Sequence, residues 1–591
     1  MCGIIGYLGK HKAAPLLLEG LKNLEYRGYD SCGIATLDNN KIHLKKDIGK
    51  VEEVNRKEKL DILPGNIGIA HTRWATHGKV TKENAHPHLS NNKKIAVVHN
   101  GIIDNFQELK NFLIREGFFF ESETDTEIIP NLIEYYMKKG FDFIKASKLC
   151  FEKLEGQYAI VVLNNEGKIV AIRKEAPLVL GVGDSEYLLA SDVTAFLDRT
   201  KKVIFLEEKD MVIFENLEKG FKIFNLNKNS FVNRDFSQIE WSEEQAQKGN
   251  FNHFFMKEVL EQARVIEGIA RMDKKIIKKI ADEIKKSEEV YMLACGSAFY
   301  ACMCGAYLFS KIAKKKINSC LASEFQNFMH FISKKSLIIA VSQSGETADT
   351  LNAIRAAKSK GAKIISICNA NNSSLMRESN DTIFQNAGPE ICVLSTKSYT
   401  SQIAILILLA YEFNGRLEDG IEKLKELSRY IYYLTSLNAR KSVKFLSEKL
   451  KNEEHIYVIG RGLQYPTALE ASLKIKESSY IHAEAFAGGE LKHGSIALIT
   501  EGTPCIVFVS KENEKETLNN VMEIKARGAF VIGIGSKKNE FFDFFIKVAE
   551  VNEFNPIIQI IPIQILAYQL ALLRGCNPDK PRNLAKSVVV K

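Results

Sequence analysis

Two long stretches of this chain are versions of one another, and that repetition limits the fold more than any other feature. Tyr291-Met292-Leu293-Ala294-Cys295-Gly296 and Tyr457-Val458-Ile459-Gly460-Arg461-Gly462 each read as a buried strand running into a glycine turn and a helix. Leu337-Ile338-Ile339-Ala340-Val341-Ser342 has its counterpart in Cys505-Ile506-Val507-Phe508-Val509-Ser510. Gly361-Ala362-Lys363-Ile364-Ile365-Ser366 has one in Gly528-Ala529-Phe530-Val531-Ile532-Gly533. The period is about 167 residues, too long for a solenoid. Strands that are apolar without alternation are buried on both faces. Alternating with helices, they predict two doubly wound parallel-sheet domains.

The copies are chemically unequal. After its second strand, copy one carries Ser342-Gln343-Ser344-Gly345-Glu346-Thr347, three hydroxyls, an amide and a glycine at a strand-to-helix turn. Backbone N–H groups at a helix N-terminus together with hydroxyls form a phosphate cradle. Copy two carries Ser510-Lys511-Glu512-Asn513-Glu514-Lys515-Glu516-Thr517, and its three glutamates would repel a phosphate. Only copy one is expected to hold an anion at this turn. In copy two, Lys474 and Glu477 stand three apart on a helix opened by Pro466, so they share a face.

Ahead of the repeat, residues 1 to about 238 read as short strands and turns with a few helices, an α+β or layered α/β/β/α pattern. Strands are expected at Ile67–Ala70, Ile95–Val98 and Tyr158–Leu163, and helices near Ala13–Asn23, Asn105–Arg115 and Thr126–Lys138. The polar stretch Ser237–Asn250 reads as a linker.

The composition excludes several classes. Among 591 residues the net charge is +9, but basic and acidic residues are interleaved and no block of like charge forms a nucleic-acid arm. The eleven cysteines contain no CxxC pair and read as buried reduced thiols, which suits a cytoplasmic chain. No basic n-region precedes an apolar run, and the longest such run, Ile403–Tyr411, is far short of the ~20 residues a membrane span needs. It reads as a buried helix. His71, His77, His86 and His88 look metallic, yet they lack convincing ligand spacing, so no metal is expected.

The chain begins Met1-Cys2-Gly3-Ile4-Ile5-Gly6. Removal of Met1 would give one residue both a thiol and a free α-amine, a nucleophile with its own base. His71-Thr72-Arg73-Trp74-Ala75-Thr76-His77-Gly78 and His99-Asn100-Gly101-Ile102 each follow a strand, and Ser122-Glu123-Thr124-Asp125-Thr126-Glu127 comes later. An arginine fork suits a carboxylate and Asp125 an ammonium. Asn100 and the Gly101 N–H could stabilise an oxyanion. Each residue also has a structural reading: Arg73 a surface charge, Asn100-Gly101 a hairpin turn, Asp125 a helix cap.

These segments, with Leu24-Glu25-Tyr26-Arg27-Gly28-Tyr29-Asp30-Ser31, resemble the glutaminase domain of class II amidotransferases. Ser342–Thr347 and Ser395-Thr396-Lys397 resemble a first sugar-isomerase (SIS) domain. Gly460-Arg461-Gly462, Glu477, Ile481-His482-Ala483-Glu484 and Gly489-Glu490-Leu491-Lys492-His493-Gly494 resemble a second. The tail Pro581-Arg582-Asn583-Leu584-Ala585-Lys586-Ser587-Val588 is similar as well. Together the chain resembles the isomerising glutamine–fructose-6-phosphate aminotransferase family. The implied domains are a layered Ntn-type glutaminase at 2–238, a linker at 239–250, SIS domains at 251–425 and 440–575, and a tail at 576–591 closing the sugar site.

The resemblance implies the following roles. Cys2 is the nucleophile, with Asn100 and Gly101 forming the oxyanion hole. Arg73 and Asp125 hold glutamine, Thr76, His77 and Gly78 line its pocket, and Trp74 gates an ammonia channel. Ser342, Gln343, Ser344 and Thr347 bind the sugar phosphate, with Ser297 and Ser395 beside them. Glu477 moves the proton between C1 and C2 with help from Lys474. His493, reaching over from a neighbouring subunit, opens the ring, and Lys586 forms a Schiff base. The implied partners are glutamine, fructose 6-phosphate and a second copy of the chain bound through the SIS domains. No cofactor, nucleic acid or membrane is implied. One departure stands out: the family pattern Cys-Gly-Thr-Ser is Cys295-Gly296-Ser297-Ala298 here, one hydroxyl fewer. Other class II amidotransferases should carry an acidic diphosphate loop or a Ser-Gly-Gly nucleotide loop, and neither is found. A sugar-phosphate-binding regulator or deglycase should not retain Cys2, Glu477, His493 and Lys586 together.

Overall fold

The computed structural model describes residues 2–74, 78–239, 248–371 and 373–588, and the side chain of Tyr26 is not described. The chain divides into two compact units, Met1–Ala246 with Ala585–Lys591, and Gln247–Leu584.

The first unit holds two antiparallel sheets. The eight-stranded sheet runs in the order Ser237–Gln238, Lys202–Phe205, Val179–Gly183, Glu186–Ala190, Gly3–Gly9, Ile67–Arg73, Ser31–Asp38, Lys41–Ile48. The other sheet has seven strands, with Ile95–Ile103 between Gly156–Asn164 and His88–Leu89. The period of two along each strand sorts its residues between cores. Along Gly156–Asn164, Ala159, Val161 and Leu163 face the core between the sheets. Tyr158, Ile160 and Val162 face the helices Phe106–Arg115, Ile128–Lys138 and Phe143–Lys153. Along Gly3–Gly9, Ile4 and Leu8 face the inter-sheet core, and Ile5 and Tyr7 face helix Ala13–Leu24. The result is the expected α/β/β/α layering. Strands covered on both sides read as unbroken apolar runs although they are antiparallel.

The second unit holds two five-stranded parallel sheets of identical order. The first runs Asn318–Leu321, Glu289–Ala294, Ser336–Ser342, Lys363–Cys368, Asp381–Phe384. The second runs His482–Ala487, His455–Gly460, Pro504–Phe508, Phe530–Gly535, Phe544–Lys547. The order 2-1-3-4-5 is doubly wound, and ligands of such sheets bind at the carboxyl ends of strands where the order reverses. One apolar core joins both sheets through the buried helices Lys397–Phe413, Gln464–Ser479 and Asn555–Leu573.

Two sequence expectations need correction. Ser237–Gln238 is not linker but the edge strand of the eight-stranded sheet, paired with Lys202–Val203, while residues 240–247 lie outside the described ones. Cuts at 425 and 440 fall inside the helices Leu417–Leu434 and Leu437–Leu450. Their polar outer faces resemble loop composition. Ile403–Tyr411 is a buried helix as expected, but Asn552–Leu573 is a longer apolar segment, with mean hydropathy 1.7. It is long and apolar enough to cross a membrane, yet 83% of its most apolar stretch is buried inside the protein. Its glutamines serve that interior: Gln559 donates to the Val509 carbonyl at 2.9 Å, and Gln564 accepts from Gln262 at 2.7 Å.

Candidate active site

The glutaminase residues gather at the ends of the two sheets in the first unit. Strand Gly3–Gly9 pairs Gly3 with Thr72, which sets Cys2 beside Arg73 and Trp74. A Cβ on Gly3 would come within 2.7 Å of Thr72 Oγ1 and 2.8 Å of Leu24 Cβ, so the residue after Cys2 must be small. The Trp74 N–H donates to Cys2 Sγ at 3.2 Å. Burial pushes the Cys2 thiol up, opposed by that hydrogen bond and by the Arg73 charge. Asn100 Nδ2 donates to the Cys2 carbonyl at 3.0 Å, tying the oxyanion candidate to the backbone of the expected nucleophile.

Gly101 has φ +123°, and a Cβ there would lie 1.9 Å from the Gln157 carbonyl oxygen on the neighbouring strand. Only glycine fits. Arg73 is buried at the end of its strand and donates to the carbonyls of Lys79 at 3.1 Å and Gly78 at 3.3 Å. The acidic groups that act on its charge are Asp30, Asp125 and Glu123. Asp125, also buried, accepts from the Ile103 N–H at 2.8 Å. The Trp74 ring stands edge-on to Tyr29 at 5.7 Å. Thr76 and His77 lie outside the described residues.

Behind these residues lies a buried group of histidines that sequence spacing alone suggested was a failed metal site. His71 and His86 stack at 4.1 Å, and His88 meets His86 edge-on at 4.7 Å. Burial holds His71 down to about 3 and drives His86 and His88 well below the ordinary histidine value, so all three are neutral. The rings stack rather than converge. Among the described residues no group of three or more His, Cys, Asp or Glu side chains is placed to hold a metal ion.

In the second unit, strand Ser336–Ser342 ends in the turn expected to hold phosphate, followed by helix Ala348–Ser359. Gly345 has φ +65°, and a Cβ there would lie 2.2 Å from Ser373 Oγ. The Gly345 N–H donates to Ser342 Oγ at 2.9 Å, and the Glu346 N–H to Ser344 Oγ at 3.2 Å. Thr347 is the N-cap, but its hydroxyl makes no capping bond. Gln343 is half-buried in this turn. Ser395 hydrogen-bonds Ser398, whose hydroxyl donates to Glu390 at 2.7 Å.

Helix Gln464–Ser479 carries the charged part of the site. Lys474 Nζ lies 2.7 Å from Glu477 and 3.4 Å from Glu470. It also donates to Ser297 Oγ at 3.2 Å, and Ser297 in turn donates to Glu470 at 3.0 Å. Glu470 and Lys474 are almost wholly buried, at 0% and 1% exposure, whereas the Glu477 side chain is 20% exposed. Burial pushes Glu470 up to about 7, and Glu477 adds to the rise while Lys474 opposes it. Burial works against the Lys474 charge, but the two carboxylates outweigh it and hold the ammonium above its usual value.

Sequence reading did not select Glu470. The i, i+4, i+7 spacing of 470, 474 and 477 was the available signal. The Ser297 hydroxyl donates to Glu470. His493 is exposed on the turn Glu490–His493. Lys586 falls in Ala585–Lys591, which groups with the first unit.

Comparison with known proteins covers the same ground. A glutamine amidotransferase domain matches residues 71–198, and an SIS domain matches residues 283–411 and again 449–574. A glutamine–fructose-6-phosphate aminotransferase [isomerizing] from Methanothermobacter thermautotrophicus is 44% identical over 100% of both chains. One of the same name from Pyrococcus horikoshii is 42% identical, again over 100% of both. Among solved structures, the C-terminal domain of glucosamine-fructose-6-phosphate aminotransferase from Francisella tularensis is 33% identical. It covers 56% of this chain and 99% of its own, with TM-score 0.52. With such identity sustained from end to end, the chain belongs to the isomerizing glutamine–fructose-6-phosphate aminotransferase family.

Proposed function

We propose that this chain converts glutamine and fructose 6-phosphate to glutamate and glucosamine 6-phosphate, the entry step of amino-sugar synthesis. The observation that carries the reading is the pairing of Cys2 with Asn100 in one unit and of Lys474 with Glu477 in the other. Two half-reactions need two such sites.

The first half-reaction is acyl transfer. Arg73 and Asp125 hold the glutamine α-carboxylate and α-amine, and Gly78 lines the pocket. With Met1 removed, the Cys2 α-amine takes the thiol proton and Sγ attacks the side-chain carbonyl carbon. Asn100 and Gly101 stabilise the oxyanion. The C–N bond breaks, ammonia leaves with the proton, and water hydrolyses the γ-glutamyl thioester to glutamate. Trp74 gates passage of the ammonia.

The second half-reaction is amination with isomerisation. Ser342, Gln343, Ser344 and Thr347 hold the phosphate, with Ser395 beside them, and His493 of a neighbouring subunit opens the ring. Lys586 forms an imine at C2, expelling water, and ammonia displaces the lysine. Glu477 removes a proton from C1 and returns it to C2, leaving the amine on C2 and an aldehyde at C1. Lys474, 2.7 Å from Glu477, assists it. The water consumed by the thioester and the water released by the imine cancel.

The chain is read as a homodimer through its SIS domains. All eleven cysteines are free, which suits the reducing cytoplasm. The test is an assay of glucosamine 6-phosphate formation from fructose 6-phosphate with and without glutamine. Glutamine-dependent product supports the reading, and glutamate release that no sugar phosphate converts to amino sugar overturns it.

A further inference from the structure

We propose that His71 is a positioning residue for glutamine hydrolysis, fixing the Asn100 carboxamide so that its nitrogen, not its oxygen, faces the reacting carbonyl. The inference rests on the reading of Asn100 as an oxyanion donor and goes on to ask what orients it. A carboxamide has two faces of similar shape, one donating and one accepting, and a half-turn exchanges them. Only one face can stabilise an oxyanion. Some neighbour must therefore select the rotamer.

The selection is visible in three contacts. His71 Nε2 lies 3.0 Å from the His99 carbonyl oxygen and 3.1 Å from Asn100 Oδ1. A backbone carbonyl can only accept, so Nε2 must carry the proton. A protonated Nε2 then requires the oxygen of Asn100, not its NH2, to face the ring. On the far side, Asn100 Nδ2 lies 3.0 Å from the Cys2 carbonyl, which again only accepts. Turning the amide over would set N–H against N–H at His71 and oxygen against oxygen at Cys2. Both buried contacts would become repulsive. An amide nitrogen carries two N–H groups, so one remains beyond the bond to Cys2 for a substrate oxygen.

The histidine itself is held by its surroundings. It is wholly buried, its ring stacks on His86 at 4.1 Å, and its Nδ1 has no hydrogen-bond partner among the described residues. An Nδ1 without an acceptor gives the proton no reason to move from Nε2, where two acceptors wait. Burial keeps the ring neutral across the working pH range, so the tautomer does not change with pH. The next layer fixes the strand that carries Asn100. The His99 N–H donates to His86 Nδ1 at 3.4 Å, and His99 Nδ1 lies 2.9 Å from Thr126 Oγ1.

The experiment uses the full chain and follows glutamate release, with Cys2 alkylation by iodoacetamide as a second readout. Alkylation needs the thiol but develops no oxyanion. Asn100→Ala should lower kcat by roughly a hundred- to a thousandfold. His71→Leu should lower kcat about ten- to a hundredfold, with KM and the alkylation rate changed less than about threefold. His71→Gln, whose amide can donate to the same two oxygens, should recover most of the loss. The double variant His71→Leu/Asn100→Ala should be no slower than Asn100→Ala alone. Additive losses, an unchanged kcat in His71→Leu, or parallel loss of alkylation would overturn the inference. An unchanged kcat in Asn100→Ala would instead overturn the oxyanion reading beneath it. If His71→Leu does not fold, nitrogen-15 NMR of histidine-labelled wild type decides. The signal lost in His71→Gln must report an Nε2–H tautomer that persists from pH 8 to pH 5, and an Nδ1–H tautomer overturns the proposal.

Discussion

The two units bury polar groups in different ways. Behind Cys2 and Asn100, next to the charged Arg73 and Asp125, the interior is built from neutral donors and acceptors: the imidazoles of His71, His86 and His88, the carboxamide of Asn100 and backbone carbonyls. Around Glu477 it is built from charge: Lys474 against Glu470 and Glu477, with Ser297 bridging. The difference follows from the chemistry each side is proposed to perform. Displacing an amide needs donors fixed where charge will develop, and a neutral network holds still without attracting counter-charge. Moving a proton between adjacent carbons needs a group that changes its charge during the reaction, and only a nearby opposite charge keeps such a group poised.

The comparison is sharpened most by removing one member of the charged set. Glu477→Gln keeps the shape and removes the proposed base, so amino-sugar formation should fall by about a hundred- to ten-thousandfold. Glutamate release measured without sugar should be unaffected. A matching drop in glutamate release would mean that the two units do not divide the chemistry.

Lys474→Met tests the energetics of the same cluster. Removing the cation leaves two carboxylates facing each other, one wholly buried, and a broken buried pair costs about 3–5 kcal/mol. Denaturant titration should show the loss in the transition of the second unit. Glu470→Gln in the same background should recover part of it, because the neutral amide no longer repels Glu477.

Acidification should separate the units in opposite directions. The histidines of the first unit are neutral when folded and have depressed values, so the unfolded chain binds more protons below its ordinary pKa near 6.5. Their contribution is present above that value and is lost as pH falls, by as much as about 1.4 kcal/mol per pH unit for each histidine. Glu470 has the opposite sign. Its folded value is raised, so its contribution is present below the unfolded carboxylate range and is lost as pH rises through about 7. Calorimetry at pH 7.5 and 5.5 should therefore show the Tm of the first unit falling more than that of the second. Equal shifts would mean that the histidines are not held neutral.

Ala298→Ser is the smallest change. A hydroxyl restored at 298, on helix Gly296–Leu308, would add one donor to the proposed phosphate site, which already has several. Fructose 6-phosphate should bind a few-fold to about tenfold more tightly by calorimetric titration, with glutamine affinity unchanged. Unchanged binding would leave the turn Ser342–Thr347 as the whole cradle.

Much of this comparison can be read from sequence, and the exceptions have physical causes. The repeated sheets are legible because strands covered on both faces, such as Ile338–Val341, cannot alternate. Cys2, Arg73, Asn100 and Asp125 are legible as residue types that suit acyl transfer, although none is decisive alone. Glu470 is hidden because a carboxylate on a helix reads as a solvated face until packing shows it at 0% exposure. The orienting role of His71 is hidden because it depends on which atoms face the ring, which spacing does not encode. Ser237–Gln238 is hidden because two polar residues carry no periodicity.

The most direct measurement supplies glutamine labelled with nitrogen-15 in its amide together with fructose 6-phosphate, and follows the label in wild type, Cys2→Ala and Glu477→Gln. Wild type should yield one labelled glucosamine 6-phosphate for each glutamate. Cys2→Ala should release neither glutamate nor labelled product, yet still interconvert fructose 6-phosphate with its aldose isomer. Glu477→Gln should release glutamate and labelled ammonia with little amino sugar. Labelled amino sugar from Cys2→Ala, or a full yield of it from Glu477→Gln, would contradict the assignment of the two half-reactions to two separately built sites.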